Sequence, residues 1–348
     1  MKNYTKMTYA QPEPDLDEDE DLDNLLPSYF LPETFDRLAA GRPRLLETGS
    51  DATAFVRVME PVDHGAHESR RGADNRHDRY TVNRLINGLS DVKSLKGPAT
   101  SDTVDRMAAA LFADAPNFAA AIQAIRTSAM TSISRGARWL QFKPIIIESD
   151  PGAGKTRIVH KLAEHSGLPL LYLDCASMTN LTPILGQDSS WSHSRASEIM
   201  EAIARGDIAN LIVVFDELDK LKDHGRNSSP QASEALVGLF EKSSAAAHLD
   251  HFTQLTIDMS FINWVILVND VERLSKPFVD RCQVIRLPPP SVAEITQIAT
   301  REIERRGLEP ELVAAIAKAV RKGRVTSLRT LHKLLDAAAA ASARHLLN

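Results

Sequence analysis

Five short apolar runs separated by helix-patterned segments constrain this chain more than any other feature of it. They are PIII (144 to 147), PLLYLD (169 to 174), LIVVFDE (211 to 217), NWVILVND (263 to 270) and QVIRL (283 to 287). Continuous Val/Ile/Leu runs of this length suit strands buried on both faces, and their alternation with helices predicts a parallel sheet covered on each side. The stretch before the first run, PNFAAAIQAIRTSAMTSISRGAR from residue 116, reads as a helix. After the last run, residues 291 to 347 carry only helical periodicity, with breakers at Gly307, Pro310 and Gly323, and read as a small all-helical domain. No repeat at solenoid periods is present.

The chain has 348 residues and 43% hydrophobic content, enough for two or three domains with a sizeable core. No apolar stretch is long enough to span a bilayer, and the opening MKNYTKMTYAQPEPD lacks the apolar centre of a signal peptide, so a cytoplasmic protein without a membrane partner is expected. Two cysteines, Cys175 and Cys282, make neither a disulfide framework nor a four-ligand metal site, and both read as buried thiols. The net charge of −5 is uneven. Residues 12 to 27, PEPDLDEDEDLDNLLP, hold eight acids and no base, so the remainder is about +3, the difference between −5 and −8. Such a block buries too little apolar surface to offset its ordering entropy and is expected to be a disordered acidic tail over residues 1 to 30. It reads as a solubilising tail or as a docking segment anchored by Leu16, Leu22, Leu25 and Leu26.

Residues 31 to 115 form a variable region, mostly helical, with a polar loop, DHGAHESRRGADNRHDRY. His64, His67 and His77 match no metal-ligand spacing. Arg70, Arg71, Arg76, Arg79 and Arg84 suit either a solvated loop or contacts to a nucleic-acid backbone, with Tyr80 as the one stacking ring.

Chemistry concentrates in IIIESDPGAGKTRIVHKLAEH, residues 145 to 165. An apolar run breaks into a glycine loop, Gly152 and Gly154, and ends in Gly-Lys-Thr before a helical pattern begins. Such a loop turns consecutive N–H groups toward phosphate oxygens, Lys155 reaches the terminal phosphates, Thr156 can ligate magnesium, and the helix N-terminus adds positive potential. Pro151, Ala153 and Arg157 complete the candidate binding set. Ser149 stands where the pattern G-x-x-x-x-G-K-[ST] asks for glycine, and Asp150 puts a carboxylate beside the anion site. Some sixty residues on, LIVVFDELDK ends an apolar run in Asp216 and Glu217, suited to holding the metal and polarising a water. Paired acids at a strand end also serve as caps or salt-bridge partners.

With SDPGAGKT, VVFDELDK, ALVGLFEKS followed by FTQLTIDMSFINWVILVND, and PFVDRCQVIRLPPPS, residues 116 to 340 resemble the AAA+ ATPases, and most of all the ATPase module of Lon proteases. The resemblance implies a P-loop NTPase of the α/β class: a five-stranded parallel sheet flanked by helices over residues 116 to 290, then a small all-helical AAA+ lid over 291 to 348. It implies ATP and Mg2+ as cofactors and a homo-oligomeric, hexameric ring. By the same resemblance Asn269 senses the terminal phosphate, Arg281 reaches the neighbouring subunit's nucleotide, and Arg329 contacts phosphate from the lid. Each has a plainer alternative, as turn residue, surface salt bridge or exposed lid side chain respectively. Trp191 falls where Lon-like relatives carry a pore-facing aromatic, with Ser192 in place of the aliphatic partner, and reads as a substrate grip or as a packing residue. The chain stops at Asn348, where a Lon protease continues into its peptidase domain, so a motor without its own peptidase is the expectation. Three functions follow: an ATP-hydrolysing motor that remodels or translocates a protein substrate, with or without a partner enzyme to receive it; a nucleotide-switched loader or regulator on nucleic acid or a partner complex; and an ATP-sensing scaffold with slow hydrolysis.

Overall fold

The computed structural model describes residues 46–47, 54–62, 76–188, 194–221 and 229–345. The acidic tail with Leu16, Leu22, Leu25 and Leu26, the residues His64, His67, Arg70 and Arg71, and the pair Trp191 and Ser192 lie outside them.

Strands are numbered along the chain as β1 (Leu46–Glu47), β2 (Ala54–Val56), β3 (Lys93–Leu95), β4 (Ile145–Glu148), β5 (Leu170–Asp174), β6 (Ile212–Asp216), β7 (His248–Leu249), β8 (Thr256–Ile257), β9 (Asn263–Val268) and β10 (Gln283–Arg286). The five expected runs form one sheet in the order β10-β4-β9-β6-β5, and every pairing in it is parallel. Among the described residues, helices of eight residues or more are α1 (Arg76–Ser90), α2 (Ser101–Asp114), α3 (Ala119–Ser134), α4 (Lys155–Ser166), α5 (Glu198–Arg205), α6 (Val292–Arg306), α7 (Leu312–Arg321) and α8 (Leu328–His345).

Period-two alternation splits each central strand between two apolar layers. Ile146, Val213, Phe215, Trp264, Ile266 and Val268 face one layer with residues of α1 and α5. Ile145, Ile147, Ile212, Val214, Val265 and Leu267 face the other, beneath α2, α3 and α4. All six residues of β9 are buried, as a central strand covered on both faces requires. The lid has its own core, in which Ile295, Ile298, Ile303, Ile316, Leu328, Leu331 and Leu335 interdigitate. Gly307 ends α6 in the left-handed region (φ 63°), which an L-residue resists, and Ser291 with Glu294 closes a capping box at its start.

Below the sheet two fully buried asparagines tie segments that strand pairing leaves apart. Asn263 Oδ1 accepts from Phe142 N at 3.0 Å and its amide donates to Leu140 O and Asn210 O. Asn210 donates to Lys96 O at 2.7 Å and accepts from Lys96 N at 2.9 Å. With Asn210 donating also to Leu140 O, all four amide N–H donors and both amide oxygens of this pair are met inside the protein, so the network fixes where β6 and β9 begin.

The region before residue 116 holds a small antiparallel sheet, β1-β2-β3, which the sequence pattern does not announce, and α1 starts at Arg76, inside the stretch expected as a polar loop. The buried Lys93 of β3 donates to Gly206 O at 2.6 Å, capping the C-terminus of α5 with a cation. Burial holds its ammonium below the usual lysine range.

Candidate nucleotide site

The C-terminal ends of β4, β6 and β9 converge on one cavity of about 420 Å³ between the glycine loop and α8. Pro151, Gly152, Gly154, Lys155, Thr156, Arg157, Asp216, Glu217, Asn269 and Arg329 line it, together with Leu328, His332, Lys333 and Asp336. Ligands of open α/β sheets bind at this end of the strands.

Gly152 (φ 86°) and Gly154 (φ 97°) occupy backbone regions that L-residues rarely adopt. A Cβ on Gly154 would meet Leu328 Cδ1 at 3.1 Å, so the loop is closed against the lid as well as twisted. Two further bonds brace it: Asn117 donates to Ala153 O at 3.0 Å, and Leu328 N donates to Gly152 O at 3.1 Å. Ala153 is itself buried behind the loop and contributes no surface to the cavity.

Ser149 keeps an ordinary backbone conformation, since Glu217 and Gln254 are the two non-glycine residues with positive φ among the described residues. Its hydroxyl is buried without a hydrogen-bond partner, and its N–H donates to Val268 O, continuing the sheet for one residue. Asp150 is solvent-exposed and absent from the cavity lining, so its carboxylate does not point at the anion site.

Lys155 is the hub. Its Nζ donates to Ser149 O at 2.5 Å, Asn269 Oδ1 at 2.7 Å and Val268 O at 3.1 Å. Burial lowers its pKa, against the pull of Asp216, Asp219, Glu217 and Asp150 in the other direction. Thr156 Oγ1 lies 3.4 Å from Asp216 Oδ2, and the phenol of Tyr172 donates to the same oxygen. Burial and that carboxylate push the Tyr172 pKa far up, so the phenol stays protonated. Hydroxyl and carboxylate oxygens at this corner are the hard donor set that magnesium takes, and the twisted loop with its buried ammonium is the cradle a polyphosphate needs. The residues present therefore fit both groups.

Glu217 leaves β6 in the left-handed region (φ 53°), strained for a residue other than glycine, and its Oε1 pairs with Lys220 at 2.5 Å. Two residues on, Asp219 is buried, and burial raises its carboxyl above the usual range while backbone N–H groups of Asn269 and of Asp219 itself pull it down.

Arg157 is drawn toward the lid. Its guanidinium donates to the buried Glu302 at 2.6 Å and lies 3.4 Å from His332 Nε2. Glu302 also receives Arg305 at 2.7 Å and Arg306 at 3.3 Å, and Arg306 reaches His332 Nδ1 at 3.2 Å and Asp336 at 2.7 Å. Burial raises the Glu302 pKa less than Arg305 and Arg157 lower it, so it stays ionised; burial, Arg157 and Arg306 hold His332 below its ordinary range.

Arg281 does not join this cavity. It pairs with Glu241 at 2.8 Å, donates to Pro277 O, and lines a separate hollow with Lys143, Lys242 and Gln283. Cys175 is buried, Cys282 is half-buried, and burial pushes the Cys282 thiol up to about 12. The lid residues His332, Lys333 and Asp336 were missed by sequence reasoning, although their spacing from Arg329 places all four on one helical face.

A parallel sheet in this order, a glycine loop joining β4 to a helix, and an acid-ended strand β6, separated from β4 by β9, define the α/β fold of a P-loop NTPase. Residues 145–289 match the model of the family described as ATPase family associated with various cellular activities (AAA). The chain is 27% identical over 189 residues to the peroxisomal Lon protease homolog 2 of Pichia angusta, covering 53% of this chain and 20% of the relative. It is 28% identical over 208 residues to Lon protease 4 of Sorangium cellulosum, covering 56% and 26%. The chain thus spans about a quarter or less of these relatives' length. A chain in a cryo-EM reconstruction of the closed state of Hsp104 with ATPγS and FITC casein shares the fold at a TM-score of 0.54 and 16% identity, covering 67% of this chain and 46% of that one. Among the described residues no helix is long and apolar enough to cross a membrane.

Proposed function

We propose that this chain binds ATP with Mg2+ between the glycine loop and α8, hydrolyses it, and works as one subunit of a hexameric ring that remodels or translocates a polypeptide. The observation that carries the reading is the convergence of Lys155, Thr156, Asp216, Glu217, Asn269 and Arg329, from the start of α4, the ends of β6 and β9, and α8, on one cavity. The backbone N–H groups from Gly152 to Thr156 cradle the phosphates. Lys155, already desolvated, trades its carbonyl acceptors for terminal phosphate oxygens, and Asn269 stays within reach of the same atoms. Thr156 and Asp216 hold the magnesium ion, which when bound neutralises charge on the phosphate oxygens. Glu217 accepts the proton of the attacking water, and Arg329 closes on the phosphates from the lid. Arg281, facing away from its own subunit's cavity, supplies a guanidinium to the neighbour's. Trp191 grips the client by apolar contact. Likeness to Lon and Hsp104 chains supports the protein-directed branch over a nucleic-acid one.

The test is nucleotide calorimetry and phosphate release on purified protein. Wild type binds ATP and releases phosphate, whereas Glu217→Gln binds ATP and slows release by roughly a hundredfold or more, within the usual worth of a positioned general base. Absence of nucleotide binding by wild type overturns the reading.

A further inference from the structure

The corner where Thr156 and Asp216 meet contains a third group that the proposed chemistry leaves without a task. Tyr172, on β5, donates its phenolic hydrogen to Asp216 Oδ2, and the same hydroxyl lies 3.4 Å from Thr156 Oγ1. Parallel register sets Tyr172 opposite Val214 of β6, and Asp216, two residues further along, shares the face of Val214. The phenol therefore leans along the strand direction to reach the carboxylate. Its ring stacks on His160 of α4, with centroids 6.0 Å apart and planes 20° apart, so the helix that carries Thr156 also fixes the tyrosine.

A carboxylate at a strand end turns easily, because the terminal torsion of Asp is broad and nearly two-fold. One donor of fixed direction removes that freedom. We infer that Tyr172 is a positioning residue for the metal site: its hydroxyl anchors Oδ2 of Asp216, the oxygen that Thr156 Oγ1 also approaches, and thereby fixes the direction in which Oδ1 is presented to a divalent cation. This rests on the reading that Thr156 and Asp216 hold magnesium. It adds a residue outside both motifs of the sequence pattern, one whose removal acts through Asp216 rather than through the nucleotide. Partners that orient metal-ligating side chains are typically worth about ten- to a hundredfold in metal affinity.

The test uses the full chain and a fluorescent N-methylanthraniloyl-ADP probe, titrated first in EDTA and then with rising Mg2+. Tyr172→Phe keeps the ring and its stacking on His160. It is expected to leave the melting temperature and the affinity in EDTA unchanged while raising the Mg2+ concentration at half-effect about tenfold. In an Asp216→Asn background the same substitution adds no further shift, since there is no carboxylate left to orient. A Tyr172→Phe protein whose Mg2+ requirement is unchanged or lower overturns the inference, as does one whose EDTA affinity and melting temperature fall together. A wild-type protein that binds the probe with no response to Mg2+ removes the metal site and the inference with it. Failure of wild type to bind the probe in either condition instead overturns the nucleotide reading itself.

Discussion

Lys155 Nζ lies 2.7 Å from Asn269 Oδ1, a contact between residues 114 positions apart that joins the start of α4 to the end of β9. The two main-chain carbonyls that share this ammonium, Ser149 O and Val268 O, come from the strand ends beside it. One cation thus satisfies three acceptors on β4's exit loop and β9's exit loop, and the same atom is the one a terminal phosphate would claim. Ligand binding and the packing of two strand ends compete for a single side chain.

Lys155→Ala is therefore expected to do two things. It removes the charged donor and weakens ATP at least tenfold, since hydrogen bonds to charged groups contribute about 1.5–3 kcal/mol. It also leaves buried acceptors without a donor, which costs about 1–3 kcal/mol of stability. Calorimetry and thermal denaturation on one preparation check both, and an unaltered melting temperature would show that water replaces the ammonium freely.

The lid is joined to the nucleotide domain by a buried carboxylate rather than by apolar contact alone. Glu302 is 1% exposed and receives Arg157 from α4 and Arg306 from its own helix. Removing one partner of a buried pair strands the others, at a cost of about 3–5 kcal/mol, whereas the outer Arg305, two-thirds exposed, adds little. Glu302→Gln should speed amide exchange in α6 and α8 while the five-stranded sheet keeps its protection. Uniform exchange across the chain would place the effect on global folding instead.

His332 makes the same junction sensitive to acid. It sits between Arg157 and Arg306, with Glu302 and Asp336 nearby, and burial with the two guanidiniums lowers its pKa from the ordinary 6.5. The unfolded chain takes up this proton first, so stability is full above pH 6.5 and falls as pH drops through the interval below it. Glu302, whose pKa is lowered from 4.5, contributes its own loss only beneath that value. His332→Gln should flatten the melting-temperature profile just below pH 6.5 and leave the steeper fall at lower pH. Retention of the full slope in the variant assigns it to another group.

Periodicity made the sheet legible. The apolar runs at 144–147 and 169–174 became Ile145–Glu148 and Leu170–Asp174, because a strand covered on both faces admits little besides Val, Ile, Leu and Phe. The loop and the acid pair were legible for a related reason, since phosphate and metal chemistry dictate residue types at fixed spacing. The small sheet β1-β2-β3 was not, its strands of two or three residues being too short to show alternation. Nor was the Arg157–Glu302 pair, whose partners stand 145 positions apart and meet only when the lid folds back on α4. Arg157 sits in the glycine-loop pattern, yet its guanidinium is bonded to the lid.

Arg281 offers the sharpest separation between a working subunit and a working ring. In its own chain it is tied to Glu241 at 2.8 Å, in a pair with both partners about a third or more exposed, and it is absent from the cavity that Lys155 lines. An exposed pair of this kind is worth about 0–1 kcal/mol, so a neighbouring phosphate can draw the guanidinium away at small cost. Arg281→Ala and Lys155→Ala should each be inactive alone. Mixed in equal amounts and allowed to exchange subunits, they pair an intact Lys155 with a neighbour's intact Arg281 at about one site in four, as a head-to-tail ring requires. Phosphate release near a quarter of the wild-type rate is the expected result. Silence from the mixture, with subunit exchange verified by size and label transfer, would mean that Arg281 serves its own subunit or none.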